Sequence, residues 1–232
     1  MTSKSRKLPP PDVFASCPFD QKILEYYSGQ FSDVFVVLHP FIKPVSIPVD
    51  RFCPSTWPSK PEMVEHCVAI SWESVRSELG FDSIAALDVA LRTSIGGLNA
   101  ELSNEAWSQK LANYLEKNDL IAPSEGELPE LLQDRLFTAI QSLGEEWLWV
   151  GDEFSSERKL VWIDDLKGEN EIPSHGCLFL PNKSLLLTTH WDSHCSFLCS
   201  SREILDRVLS TDAFEGFFCA ENTEVYWGAY ET

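Results

Sequence analysis

The segment HWDSHC, from His190 to Cys195, combines the residue types that most readily bind a transition metal. On a β-strand side chains alternate, so His190, Asp192 and His194 would project from one face. Two imidazoles and a carboxylate in this arrangement can hold a metal with open positions for hydrolysis or oxidation. On a straight strand, however, the Cα atoms of the two histidines lie about 13 Å apart, which is too far for one ion without a bulge.

A structural interpretation of the same segment competes with the metal site. In it the two histidines and the aspartate line the solvent face, while Trp191, Cys195 and Phe197 point into the core. We favour this interpretation and predict no cofactor and no metal. The set His190, Asp192 and His194 stays as the alternative, a metal-dependent enzyme.

Cysteine chemistry receives less support from the sequence. The seven cysteines include no CxxC pair and no zinc-ribbon spacing. A reactive thiolate needs a cation or a helix N-terminus beside it, and nothing near Cys195 or Cys199 supplies an orienting third residue. We therefore predict no catalytic residue. The N-terminus lacks the apolar stretch of a secretory signal, so reduced thiols in a cytoplasmic protein are expected.

The negative charge is concentrated in the second half of the chain. The formal net charge is −18, and residues 101–232 hold nine Lys/Arg against 25 Asp/Glu, a net of −16. Because 44% of the residues are hydrophobic, this half is expected to be folded with an acidic surface rather than disordered. Such a surface repels nucleic acid and anionic membranes and attracts a basic protein at long range.

Acidic and aromatic residues occur together around one predicted strand. The carboxylates fall in the two long connections that flank residues 160–164, and two tryptophans occupy neighbouring strands. Carboxylates around an aromatic anchor suit the binding of a basic partner, because charge raises the association rate and the ring supplies a desolvated hot spot. The predicted partner-binding residues are Trp149, Asp152, Glu153, Trp162, Asp164, Asp165, Glu169 and Glu171. In an antiparallel meander the two connections lie at opposite ends of the strand and form two acidic rims.

Helices are predicted in the middle of the chain. Asp82 or Ser83 caps a helix that stops at Gly96-Gly97, and Ser103 or Asn104 caps the next one. A third helix starts near Pro129 and ends at Gly144, and Ser200 or Ser201 caps a short fourth one. Their apolar stripes repeat every three to four residues, which is typical of helices packed on a core.

Strands are predicted around these helices. They cover 34–40, 147–150, 160–164, 177–180, 184–198 and 225–227. The loops between them have lengths that suit antiparallel hairpins, and no parallel βαβ rhythm occurs. We predict an α+β fold with helices packed on one face of a meandering antiparallel sheet. Residues 1–12 form a flexible segment, and 13–232 form a single domain with a helical middle (72–144) and an antiparallel sheet (145–232).

The C-terminal part resembles known bacterial proteins. The run CLFLPNKSLLLTTHWDSHCSFLC, followed by a short helix and FEGFFCAENTEVYW, resembles uncharacterised bacterial proteins. In general style it is also similar to small acidic immunity proteins of bacterial toxin systems. The resemblance implies an acidic α+β protein that binds and neutralises a cognate toxin, and it assigns no functional residue.

Three functional hypotheses follow from these patterns. The first is a non-enzymatic binding protein, an immunity protein or inhibitor that occludes the active site of a basic toxin and needs no cofactor. The second is the metal-dependent enzyme built on the HWDSHC segment. The third is a structural or regulatory adaptor that self-associates through exposed Trp and Phe. None of them involves nucleic acid or a membrane.

Overall fold

A computed structural model describes residues 13–167 and 172–230 of the chain. The helices are α1 (Ile23–Tyr26), α2 (Lys60–His66), α3 (Trp72–Leu79), α4 (Ile84–Ser94), α5 (Glu105–Lys117), α6 (Glu130–Gln141), α7 (Ile163–Leu166), α8 (Arg202–Leu209) and α9 (Trp227–Tyr230). The strands are β1 (Asp33–Leu38), β2 (Phe41–Pro44), β3 (Cys67–Ile70), β4 (Trp147–Gly151), β5 (Arg158–Trp162), β6 (Cys177–Phe179), β7 (Leu186–Thr189), β8 (Cys195–Ser200) and β9 (Gly216–Phe218). Two 3₁₀ turns, Val13–Ala15 and Val49–Arg51, complete the described elements.

The strands form one large antiparallel sheet and one small one, which confirms the α+β class. The large sheet has seven strands in the order β5-β4-β6-β7-β8-β1-β9, and β2 pairs with β3 separately. Strands β6, β7 and β8 follow one another as a meander. Strand β1 lies between β8 and β9, so one interior strand of the sheet comes from outside residues 145–232. The predicted flexible segment 1–12 lies outside the described residues.

The helices cover both faces of the large sheet, whereas packing on one face was predicted. Val34 and Val36 of β1 pack in one core cluster with residues of α3, α4 and α9. The alternate residues Phe35 and Val37 pack in a second cluster with residues of α6, α7 and α8. The physical reason is visible in the run VFVVL, since a strand that is apolar at every position is buried on both faces.

The predicted helix caps agree with the structure. The hydroxyl of Ser83 accepts a hydrogen bond from the backbone N–H of Ala86 at 3.2 Å, at the start of α4. Asn104 caps α5 in the same way, with its side-chain oxygen 3.1 Å from the N–H of Trp107. Ser201 caps α8. Each cap satisfies a backbone donor that the first helical turn leaves free.

Two predicted strands were wrong. Residues 184–198 are not one strand, because β7 ends at Thr189 and β8 begins at Cys195, with a tight turn between them. Residues 225–227 are not a strand either, because Trp227 begins α9. The last strand in chain order is β9. In it, a Cβ on Gly216 would lie 1.9 Å from the carbonyl oxygen of Val36. Only glycine permits so close an approach of this strand to β1.

No helix in residues 13–167 and 172–230 is long and apolar enough to cross a bilayer.

Candidate functional site

The predicted partner-binding carboxylates lie at the two ends of β5. Asp152 and Glu153 follow β4 in the loop that leads to the start of β5, and Asp164 and Asp165 belong to α7 directly after its end. Along the strand these ends are about 13 Å apart. Glu169 and Glu171 lie outside the described residues.

The carboxylates of the first end serve local structure. Asp152 accepts hydrogen bonds from the backbone N–H groups of Ser156 and Glu157, at 2.7 and 3.3 Å, and so holds the loop between β4 and β5. The Oε2 of Glu153 lies 3.5 Å from the Nδ1 of His175. Neither side chain is fully exposed, so this end is less accessible to a protein partner than the other.

Trp149 is also held within the fold. Its ring stacks on Phe179, with 6.4 Å between ring centroids, and the guanidinium of Arg158 lies 5.8 Å from the centre of its ring. The residue is half-buried against the first core cluster. Its ring therefore contributes to the packing of β4 on β6 and presents little free surface to a partner.

The second end of β5 presents an exposed aromatic pair. Antiparallel pairing places Trp147 of β4 opposite Trp162 of β5, and their ring centroids are 5.5 Å apart. Trp147, Leu160 and Trp162 are 41%, 43% and 43% exposed. We call these three residues the tryptophan edge. Among residues 13–167 and 172–230, β5 is the terminal strand of the sheet, and no strand of these ranges pairs with its outer edge.

The two faces of the sheet differ at this end. Leu148 and Val161, on the opposite face from the tryptophan edge, are buried in the second core cluster beneath α6 and α7. On the face of the tryptophan edge, the helices of the first cluster leave Trp147 and Trp162 uncovered. Large apolar side chains left together on a surface are typical of interaction sites.

Carboxylates flank the tryptophan edge on both strands. Glu145 and Glu146 immediately precede Trp147, and Asp164 and Asp165 follow Trp162 after one residue. The backbone N–H of Ile163 donates to the carbonyl of Glu146 at 2.9 Å, which brings the two acidic segments side by side. Two lysines near these segments, Lys60 and Lys167, are already paired.

Each of those cations has a carboxylate partner of its own. Lys167 lies 3.5 Å from Asp164. Lys60 lies 2.6 Å from Asp134 and donates to the backbone carbonyl of Leu166 in α7. Because these pairs are neutral, the end of the sheet around the tryptophan edge keeps a negative charge.

Sequence reasoning missed Trp147. Trp147 and Trp149 lie on the same face of β4, as period-two alternation requires. The sequence does not tell which of the two is opposite Trp162, because the register depends on the loop between the strands. In the structure Trp147 is opposite Trp162 and both rings are exposed, whereas Trp149 is half-buried.

The prediction of a His-Asp-His strand face was wrong, because residues 190–194 form the turn of the β7–β8 hairpin. The Nε2–H of His190 donates to the carbonyl of Phe19 at 3.1 Å, whereas the Nδ1–H of His194 donates to the carbonyl of Pro123 at 3.0 Å. The backbone carbonyl of Asp192 accepts from Arg92 at 2.6 Å. The three residues therefore do not converge on one point.

Burial keeps both histidines of the turn neutral. It lowers the pKa of His190 to about 3 and that of His194 to about 4, and the charge of Arg92 acts in the same direction. Both imidazoles are less than 3% exposed, His190 at 1% and His194 at 2%. Among the described residues no three His, Cys, Asp or Glu side chains lie close enough together to hold a metal ion.

The cysteines are free thiols, most of them inside the core. Burial raises the pKa of Cys195 to about 11 and that of Cys199 well above its usual value. A thiol that stays protonated at neutral pH is a poor nucleophile. These two cysteines pack as small apolar residues on β8.

Comparison with known proteins places the chain in a family. It is 22% identical over 224 residues to "Uncharacterized protein YwbB" of Bacillus subtilis (strain 168), a match that covers 90% of this chain and 95% of that protein. No solved structure matches this chain. The resemblance to uncharacterised bacterial proteins is thus confirmed, and the likeness to immunity proteins stays a proposal. A family model described as "Protein of unknown function (DUF2711)" matches residues 20–229, and the chain therefore belongs to the DUF2711 family.

Proposed function

We propose that this protein is a non-enzymatic binding protein that captures a basic protein partner at the tryptophan edge. Within that class we propose an immunity protein, which neutralises a basic bacterial toxin by occluding its active site. The observation that carries the proposal is the exposed Trp147–Trp162 pair on β4 and the terminal strand β5, preceded by the carboxylates of Glu145 and Glu146.

The aromatic pair supplies the binding energy in this proposal. Tryptophan is enriched among the interface residues whose truncation costs most, because a large flat ring buries much apolar area with few rotatable bonds. The rings of Trp147 and Trp162 already contact one another in the free protein. A partner therefore meets a preorganised anchor and loses less conformational entropy on binding.

The carboxylates supply selectivity for a basic partner. The chain has a net charge of −18, and opposite charge on a partner raises the rate of encounter. The same charge opposes self-association, since two copies of this edge would bring like charges together. The free backbone of β5 gives a partner strand the further option of pairing with the sheet.

The test uses the product of a neighbouring gene as the candidate toxin. It is co-expressed with this protein, and the affinity of the purified pair is measured by calorimetry for the wild type and for Trp162→Ala. We expect the loss of a hot-spot tryptophan to weaken binding about 30-fold or more. Trp57→Ala is the matched control, because Trp57 is 39% exposed but lies before α2, outside both β4 and β5.

Two results would contradict the proposal. One is a neighbour that is neither toxic nor bound, and the other is equal weakening by both tryptophan variants. Light scattering across a salt series distinguishes the adaptor alternative, because association driven by charge weakens as salt rises whereas apolar self-association persists.

A further inference from the structure

A second aromatic surface surrounds a small cavity at the opposite end of β4 and β5. The cavity has a volume of about 120 Å³ and lies between the N-terminal segment, the loop after β4 and the β7–β8 turn. Phe19, Phe154, His175, His190 and Trp191 contribute to its walls. We call it the His190 pocket. It is separate from the tryptophan edge, and its role does not depend on the function proposed above.

The rings around the His190 pocket are unusually exposed. Phe19, Phe154 and Trp191 are 57%, 52% and 40% exposed, although they come from three separate segments of the chain. Phe19 and Trp191 contact one another with 5.3 Å between centroids, and His175 meets Trp191 at 6.3 Å. Leaving three such side chains in water forgoes hydrophobic stabilisation, which a bound apolar ring would restore.

His190 lines the pocket, and its buried Nδ1 is an unused acceptor. The carbonyl of Phe19 can only accept, so the proton of the neutral imidazole is on Nε2 and the Nδ1 carries a lone pair. The residue is 1% exposed, and its Nδ1 has no hydrogen-bond partner among the described residues. A buried acceptor without a donor is costly, and such groups are rare in folded proteins.

His175, which also lines the pocket, has a strained backbone conformation. His175 has a φ of 55°, in the left-handed region that side chains other than glycine seldom adopt. It is held there by a 2.7 Å hydrogen bond from its N–H to the carbonyl of Gly126 and by the nearby carboxylate of Glu153. A Cβ on Gly126 would lie 2.4 Å from the His175 ring. Strained positions fixed by several contacts cluster at binding sites.

From these observations we propose that the His190 pocket binds one planar ring that carries an O–H or N–H donor. The ring packs among Phe19, Phe154 and Trp191, and its donor satisfies the Nδ1 of His190. The volume of about 120 Å³ is somewhat below that of the roughly 150 Å³ cavity that holds benzene in another protein, so the ring also packs on the exposed side chains of Phe19 and Phe154. The buried acceptor then selects a phenol or azole over an apolar ring of the same shape.

The pocket is tested with phenol and toluene, which have similar shapes but differ in the donor. Each is titrated into the full chain while the Trp191 indole and the His190 ring nitrogens are followed by ¹H–¹⁵N NMR. We expect saturable binding, a change at the His190 Nδ1 with phenol alone, and at least about tenfold tighter binding of phenol.

Two variants separate the contributions. His190→Phe removes the acceptor, so the preference for phenol over toluene should disappear. Phe154→Ala alters an exposed side chain and so leaves the fold intact, and it should weaken both ligands by similar factors. Equal affinities for phenol and toluene in the wild type, or no saturable change at Trp191, would overturn the proposal even if His190→Phe failed to fold.

The same chemistry has two sources, a free small molecule or a tyrosine side chain of a protein. N-acetyltyrosinamide distinguishes them, because it carries the phenol ring on a peptide backbone. Tighter binding of N-acetyltyrosinamide than of phenol supports the pocket with a protein side chain as its ligand. Weaker but saturable binding supports it with a free ring as its ligand.

Discussion

The tryptophan edge and the His190 pocket both expose aromatic rings, but they differ in shape and in what lies beneath them. The edge is a surface formed by two contacting tryptophans, one on β4 and one on the terminal strand β5, with carboxylates beside it. The pocket is concave and contains a buried histidine with an unused acceptor. Exposure alone therefore does not identify a ligand. Shape and unsatisfied polar groups distinguish a site for a protein surface from one for a single ring.

Acid should destabilise the fold through three buried histidines. Burial lowers the pKa values of His39 and His190 to about 3 and that of His194 to about 4, below the ordinary value of 6.5. The unfolded chain binds protons at these histidines below pH 6.5 and the folded chain does not, so stability is lost as the pH falls from 6.5 to about 4 for His194 and to about 3 for His39 and His190. At pH 5 each histidine costs about 2 kcal/mol of unfolding free energy, roughly 6 kcal/mol in all.

Denaturant unfolding at pH 7, 6 and 5 measures this loss. His190→Asn removes one of the three histidines and should reduce the loss between pH 7 and pH 5 by about a third. The tryptophan edge contains no histidine, so Trp162→Ala should leave the slope unchanged. A stability that is constant from pH 7 to pH 5 contradicts the expectation.

Removal of the Arg92 guanidinium should be the next largest effect. Arg92 is fully buried, lies 2.8 Å from the buried carboxylate of Asp88, and donates to the carbonyls of Asp192 and Val225. Arg92→Met leaves Asp88 without its cation and should cost about 3–5 kcal/mol of unfolding free energy, measured by urea unfolding. It should also abolish phenol binding, because Arg92 holds the β7–β8 turn.

The double variant Asp88→Asn/Arg92→Met is the control for the buried charge. Since it removes the uncompensated carboxylate, it should recover much of the lost stability. If the single and double variants are equally unstable, the loss comes from packing and not from charge.

Substitution of Gly126 should affect the pocket by a smaller amount. Gly126 and Gly144 both have a positive φ, 64° and 91°, so alanine strains the backbone at either position by about 1–2 kcal/mol. Only at Gly126 does the new Cβ meet a side chain, since nothing lies within 4 Å at Gly144. We expect Gly126→Ala to cost about 1–3 kcal/mol more than Gly144→Ala in urea unfolding, and to weaken phenol binding. If the two variants lose the same unfolding free energy, the His175 ring does not restrict the side chain at position 126, and the prediction is contradicted.

Loss of charge beside the tryptophan edge should have the smallest effect. Asp164→Asn/Asp165→Asn should slow association with a basic partner several-fold at low salt while dissociation changes little, because exposed charges act mainly on encounter. Stopped-flow association at low and high salt tests this, with the exposed Glu203→Gln on α8 as the control. The difference between the variants should vanish as salt rises. A salt-independent defect would assign these two residues a structural role.

The sequence was sufficient for elements whose signals are local. Ser83 and Asn104 identified the starts of α4 and α5, because a cap bonds to the backbone only three residues away. The strand β1 was recognised from its apolar run. The same run is apolar at every position, which indicates burial on both faces and therefore helices on both sides of the sheet.

Features that depend on distant residues could not be predicted. The turn at 190–194 lies inside an apolar stretch, and Arg92, about a hundred residues earlier, helps to fix it. Strand β9 forms where Gly216 meets Val36, which no local pattern reveals. For the site, Trp162 was predicted from its neighbours, but its partner Trp147 follows from the register of β4 and β5.

The most direct test of the account is a hydrogen-exchange map of the protein with and without its candidate toxin. We expect the partner to slow amide exchange in β4 and β5, which carry the tryptophan edge, and to leave exchange at the β7–β8 turn unchanged. Protection confined to the β7–β8 turn, or to helices far from β5, would contradict the claim that the tryptophan edge is where a basic partner binds.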